Sequence, residues 1–144
     1  MSEQGFDLTR RDTFRGFTPV TIRFSDQDSM GHVNNVSFGA YIEAARTMLI
    51  QGLLDQFDHP GLDFILARVV IDYRRELHYP GTVEVGARLI RLGSKSLTSG
   101  YGVFRGDECV ATSESVNVFY DMGTRSSVVP PQDVQQAIRA KIAE

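Results

Sequence analysis

The sequence predicts an α+β fold in which a five-stranded antiparallel sheet wraps around one long central helix, with a second helix at the C-terminus. Three patterns predict it. Apolar residues recur at helical spacing from Phe38 to Leu53. Apolar and polar residues then alternate with period two across four successive runs, and a short amphipathic stripe follows Pro130-Pro131. One helix cannot cover both faces of so long a sheet. Either the sheet curls around the helix or a second subunit buries the remainder, and we expect both.

The first strand covers residues 18–24, which alternate. The helix begins near Val36, with Asn34 or Asn35 as its cap, and its stripe is Phe38, Tyr41, Ile42, Ala45, Leu49 and Leu53. Gly39, Ala40, Ala44 and Ala45 make this helix slim. A mid-helix glycine costs about 1 kcal/mol relative to alanine, so Gly39 points to close approach by another backbone or a ligand, or to tight helix–sheet packing. After a loop around Asp58-His59-Pro60-Gly61, Val69, Ile71, Tyr73, Leu77 and Tyr79 fall on one face of a strand. Arg68, Asp72, Arg74, Glu76 and His78 fall on the other. Tyr79-Pro80-Gly81-Thr82 turns the chain into a strand through Val83, Val85, Ala87 and Leu89, and Gly93-Ser94-Lys95-Ser96 is the next turn. Residues 97–105 and 108–120 form a hairpin about Gly106-Asp107. The closing helix buries Val134, Ile138 and Ile142. Residues 1–16 read as a polar lead-in and 17–144 as a single domain, without repeat or low-complexity tract.

At 144 residues the chain can bury a substantial core, roughly 68–70% of its unfolded surface. Hydrophobic content of 42% and charged content of 23% are ordinary for a globular protein. A net charge of −3 leaves no basic footprint for nucleic acid. The single Cys109 excludes an internal disulfide and an all-cysteine metal site. No apolar run approaches the ~20 residues of a membrane span, and the first fifteen residues lack a signal-peptide core, so the expected location is the reducing cytoplasm with no membrane partner. His32, His59 and His78 sit on different elements without ligand spacing, and no metal is expected.

The most informative stretch runs from Arg23 through Phe24, Asp26, Asp28, Gly31 and His32 to Asn34 and Asn35. It packs two carboxylates, an imidazole and the paired amides of Asn34 and Asn35 into ten residues, directly before the helix. A carboxylate beside a helix N-terminus faces oriented backbone N–H groups, where an oxyanion would be stabilised, so chemistry on a carbonyl is the first reading.

This loop, Asp26-x-Asp28-x-x-Gly31-His32-Val33-Asn34-Asn35, together with Tyr41-x-Glu43-Ala44-Ala45-Arg46 and the element order, resembles the acyl-CoA thioesterases related to 4-hydroxybenzoyl-CoA thioesterase, of the hotdog-fold superfamily. The resemblance spans roughly residues 18–121. It implies a sheet wrapped around the central helix, an obligate dimer and often a tetramer. It also implies active sites at the dimer interface and no metal or bound redox cofactor, with coenzyme A entering as part of the substrate. It further implies that Asp28 is the catalytic carboxylate and that the backbone N–H of Asn35 polarises the thioester carbonyl. Some relatives place Tyr or His where this chain has Asn35, and any side-chain contribution from those is absent here.

Asp28 can act as general base on water or attack directly to form a mixed anhydride. Asp26 shapes the loop or pairs with Arg23. His32 holds the loop, binds water or contacts the thioester sulfur. Asn34 orients a water or caps the helix. Glu43 lies near the expected cleft and either pairs with Arg46 or orders a water; a related branch uses a helix glutamate as its catalytic carboxylate. Gly31, Phe38 and Tyr41 are candidates for the acyl pocket, with Phe64 as a further aromatic. Arg68, Arg74, Lys95 and Ser96 are candidates for coenzyme A, or stand on a solvated face. Three other functions compete with acyl-CoA hydrolysis: a hydratase or dehydratase using Asp28 with His32, a non-catalytic acyl-CoA-binding module, and hydrolysis of acyl groups on a carrier protein.

Overall fold

The computed structural model describes residues 5–144; residues 1–4 of the lead-in lie outside the described residues. The elements run β1 (Gly16–Ile22), α1 (Asn35–Leu54), β2 (Leu62–Tyr73), β3 (Gly81–Leu92), β4 (Ser96–Arg105), β5 (Glu108–Asp121), β6 (Ser126–Ser127) and α2 (Gln132–Ile142). The sheet is antiparallel in the order β1-β3-β4-β5-β2, with the short β6 pairing β5 outside that path. β1 and β2 flank α1 in sequence yet occupy opposite edges of the sheet. The helix between them therefore has to cross it. Its 20 residues make about 30 Å of axis, enough to span five strands spaced about 4.8 Å apart.

The sheet curls around α1, as expected. Phe38, Tyr41, Ile42 and Ala45 pack with Ile22, Val83, Val85, Tyr101 and Val103 in one cluster. Leu53 and Leu54 continue into a second with Leu89, Leu97, Phe119, Val134 and Ile138, so α2 closes the far end of the groove. Each such Val, Leu, Ile or Phe side chain contributes about 1.5–3 kcal/mol on burial. The outer face of the sheet carries part of the lead-in. Leu8 and Phe14 are buried against Phe104. A Cβ on Gly86 would come within 2.6 Å of the Phe14 ring, and one on Gly102 within 2.6 Å of the Leu8 carbonyl, so these glycines make room for the strap.

The structure corrects one strand. β2 begins at Leu62, ahead of the alternation read from Val69, and ends at Tyr73 rather than continuing to Tyr79. The backbone N–H groups of Arg74 and Arg75 both bond to the Val110 carbonyl, and the chain then leaves the sheet. Arg75 falls on the apolar face of the alternation, between Tyr73 and Leu77. A charged residue there marks where the pattern stops describing a strand. Leu77 is nonetheless fully buried, and its carbonyl receives the Val33 N–H at 2.7 Å, which ties the β2–β3 connection to the loop before α1. Among the described residues no helix is long and apolar enough to cross a membrane.

That loop is anchored by Asp26, which is 1% exposed. One carboxylate oxygen accepts from the Arg23 guanidinium at 2.8 and 3.0 Å; the other accepts from the Arg23 backbone N–H at 2.8 Å and the Tyr41 hydroxyl at 2.6 Å. The Asp26 carbonyl accepts the Asn34 N–H at 2.9 Å. Burial alone would raise the Asp26 carboxyl, but the bonds from Tyr41 and Arg23, with the guanidinium charge, hold it below its ordinary value. Burial and the same carboxylate push the Tyr41 phenol well above its ordinary value.

A carboxyl depressed in the folded state contributes stability in full above its unfolded value, and that contribution disappears as pH falls through the folded value. Asp26→Asn is therefore expected to cost about 2–3 kcal/mol at neutral pH, just below the range for breaking a fully buried pair because Arg23 is largely exposed. The deficit should shrink by about pH 3. Urea midpoints at the two pH values check both statements, and an equal deficit at both contradicts them.

Candidate active site

Past Asp26 the chain turns back on itself. Gln27 bridges Val33, the Asp28 N–H reaches the His32 carbonyl at 2.7 Å, and Gly31 sits at φ +83°, a conformation that favours glycine. Asp28 completes the turn with its side chain. Its Oδ1 accepts the backbone N–H groups of Met30 at 2.9 Å and His32 at 3.1 Å, while Oδ2 has no hydrogen-bond partner among the described residues. One oxygen is thus fixed and the other is open.

The helix follows at once. Asn34 is the N-cap, its side-chain oxygen accepting the Ser37 N–H at 2.8 Å. The Asn34 carbonyl takes the Phe38 N–H. The amides of Asn35 and Val36 are first-turn donors with no intrahelical acceptor. Asp28 and Asn35 line the same open cleft of about 320 Å³, whose walls include His32, Phe38, Tyr73 and Arg75. Phe38 and Tyr73 meet edge to face at 5.3 Å, and the Tyr73 hydroxyl reaches the Asn35 carbonyl at 3.4 Å. The cleft therefore combines an acid, the first residue of α1, an aromatic wall and arginines.

The other sequence candidates are placed as follows. Gly31 shapes the loop, and its carbonyl lies 3.1 Å from His78 Nδ1. Tyr41 does not line the cleft: it is buried and its hydroxyl is taken by Asp26. Glu43 is also outside it, 67% exposed and 3.3 Å from the Arg46 guanidinium. Arg68 faces a separate depression of about 560 Å³ on the outer side of the sheet, with Asp72, Arg91 and Glu114. Arg74 lines both hollows. Lys95 and Ser96 sit at the β3–β4 turn, the opposite end of the 12-residue β3 from the acid loop, and so stand apart from the cleft of their own chain. Gly39 has open space where a Cβ would be, so tight packing against its own sheet is not its reason.

Sequence reasoning missed Arg75 and Glu76 as cleft residues because it kept them in a strand, and missed Tyr73 because it read that residue only as one of the strand's apolar positions. It also separated histidines that the fold joins. His32 and His78 meet with ring centroids 5.0 Å apart, and both Nε2 atoms approach Glu76.

The comparisons agree with this architecture. A family model described as "Thioesterase-like superfamily" matches residues 22–138. The uncharacterised protein YsmA of Bacillus subtilis (strain 168) is 29% identical over 91 residues, covering 63% of this chain and 62% of that protein, so the match spans less than two thirds of that relative. Among solved structures, a thioesterase from Thermus thermophilus complexed with coenzyme A and Zn is 32% identical. Its TM-score is 0.76, with 89% of this chain and 95% of that one covered. The PA5185 protein from Pseudomonas aeruginosa strain PAO1 is 28% identical with a TM-score of 0.78, covering 92% and 94%. The curled sheet around α1 is the hotdog fold.

The Asn34 cap is testable independently of any activity. Asn34→Ala should cost about 1 kcal/mol, and Asn34→Asp, which keeps an acceptor, should cost less than half of that. Chemical denaturation of the two variants decides it; equal losses would mean that the side chain acts otherwise than as a cap.

Proposed function

The chain belongs to the thioesterase-like superfamily, and from that premise we propose that it hydrolyses an acyl-coenzyme A thioester to the free acid and coenzyme A. The observation that carries this reading is the Asp28 carboxylate, held through Oδ1 by two backbone amides on the rim of the cleft that Asn35 also lines. A relative of known structure binds coenzyme A, which supports the nucleotide thioester as the substrate class.

In the reading we propose, the thioester carbonyl lies between the Asp28 carboxylate and the first amides of α1. The open Oδ2 takes a proton from water as the water oxygen attacks the carbonyl carbon. The oxyanion that forms is stabilised by the helix-start N–H of Asn35, a donor worth about 2.7–4 kcal/mol in such sites. Collapse breaks the carbon–sulfur bond, and the thiolate of coenzyme A recovers the proton from Asp28. In the alternative route Oδ2 attacks the carbon itself, the thiolate leaves, and water opens the resulting anhydride. Both routes need the same atoms. The Asp28–His32 side-chain pair that a hydratase would use is not formed, since the His32 imidazole faces Glu76.

We also propose that two copies pair, in the cytoplasm, with β2 at the contact. What supports pairing is an edge strand with Ile65, Leu66, Val69, Val70 and Tyr73 all 39–47% exposed, an arrangement that a free edge ordinarily avoids. Arg68, Lys95 and Ser96 would meet coenzyme A only across that subunit boundary. A hollow of about 320 Å³ suits an acyl end rather than a whole nucleotide thioester.

Asp28→Asn should reduce turnover by about 100-fold or more while leaving the melting temperature and oligomeric state unchanged. Asp28→Glu should do nearly as much harm, because displacement by about 1 Å costs roughly 10²-fold. Free-thiol release across acetyl, long-chain and aryl coenzyme A substrates measures both; near-wild-type turnover in Asp28→Asn would end the proposal. The double variant Leu66→Lys/Val69→Lys should lower the mass seen by light scattering to that of one chain. A pair that survives it would place the contact elsewhere.

A further inference from the structure

We propose that His32, Glu76 and His78 form a binding site for one zinc-class divalent cation at the mouth of the cleft. The residues come from two segments, the loop after β1 and the β2–β3 connection, held together by the Val33 N–H on the Leu77 carbonyl. Glu76 Oε2 lies 3.5 Å from His32 Nε2 and 3.4 Å from His78 Nε2, and the three ligand atoms all lie within 4.8 Å of one another. Tetrahedral zinc with ligands at about 2.0–2.2 Å separates adjacent ligand atoms by about 3.3–3.6 Å. Two of the three edges already have that length. The same separations are long for a charge-assisted hydrogen bond, which settles at about 2.7–2.9 Å. The trio is spaced to hold an atom between its members rather than to pair directly.

His78 is also oriented for the task. Its Nδ1 lies 3.1 Å from the Gly31 carbonyl, which can only accept, so in the neutral ring this contact places the proton on Nδ1 and the lone pair on Nε2. A hydrogen bond of this kind, fixing tautomer and ring direction, is the ordinary companion of a metal-bound histidine. Two imidazoles with one carboxylate suit zinc rather than magnesium or calcium, which prefer oxygen ligands, and three protein ligands leave a further position for water. The side chains are 36%, 65% and 53% exposed, so a cation can reach them from solvent. Binding would cross-link the acid loop to the β2–β3 connection. The site stands whether or not the chain hydrolyses thioesters, because it is read by binding alone.

Calorimetric titration of the full chain with zinc chloride tests it. One saturable zinc per chain is expected, with affinity about 10-fold or more lower in Glu76→Gln and in His78→Asn. His59→Asn should leave it unchanged, since His59 pairs with Asp133 elsewhere. In the wild-type protein, zinc should shift the His32 and His78 ring resonances and leave those of His59 in place. Equal affinity in the wild type and His78→Asn, a shift confined to His59, or no saturable binding would each overturn the proposal.

Discussion

A single buried carboxylate sets the geometry on which the candidate site depends. Asp26 joins the end of β1, through Arg23, to the second turn of α1, through Tyr41, and its carbonyl holds the amide of the residue that caps the helix. Burying an ion is expensive unless every oxygen is used. Here both oxygens are, and the network spans strand, loop and helix in one step. Asp28 has no such burial. It is kept in place by its own turn, whose two ends Asp26 ties through the Arg23 and Asn34 backbone N–H groups. The two acids differ physically: the one with saturated hydrogen bonds holds position, and the other keeps one carboxylate oxygen without a partner among the described residues.

Much of this was legible in the residues. The helix stripe from Phe38 to Leu53 is a packing pattern, and packing patterns survive folding because burial dominates them. Asn34 before a helix and Asp26 beside Arg23 are local signals, acting over a few residues, and local signals read well. The β2–β3 connection was misread for the opposite reason. Its alternation was real, since Leu77 does point into the core, but alternation reports which side chains are buried and not whether the backbone stays in a sheet. The charge at Arg75 was the available sign.

Proximity between distant segments was illegible. Nothing along the chain pairs His32 with His78; the bond from Val33 to Leu77 joins their two segments. Tyr41 shows the converse. An aromatic on the right helix face looked like pocket lining, yet its hydroxyl belongs to the anchor. Lys95 and Ser96 sat in a plausible turn, but the length of β3 carries them to the other end of the molecule.

The strap formed by Leu8 and Phe14 bears on how this scaffold could diversify. It covers the back of the sheet over Gly86 and Gly102, on the face opposite the one that packs on α1. Substitutions there would change the rear exterior without touching the side chains that pack between the sheet and α1. The rear surface and the helix-facing core are then separate units of variation in one small polypeptide.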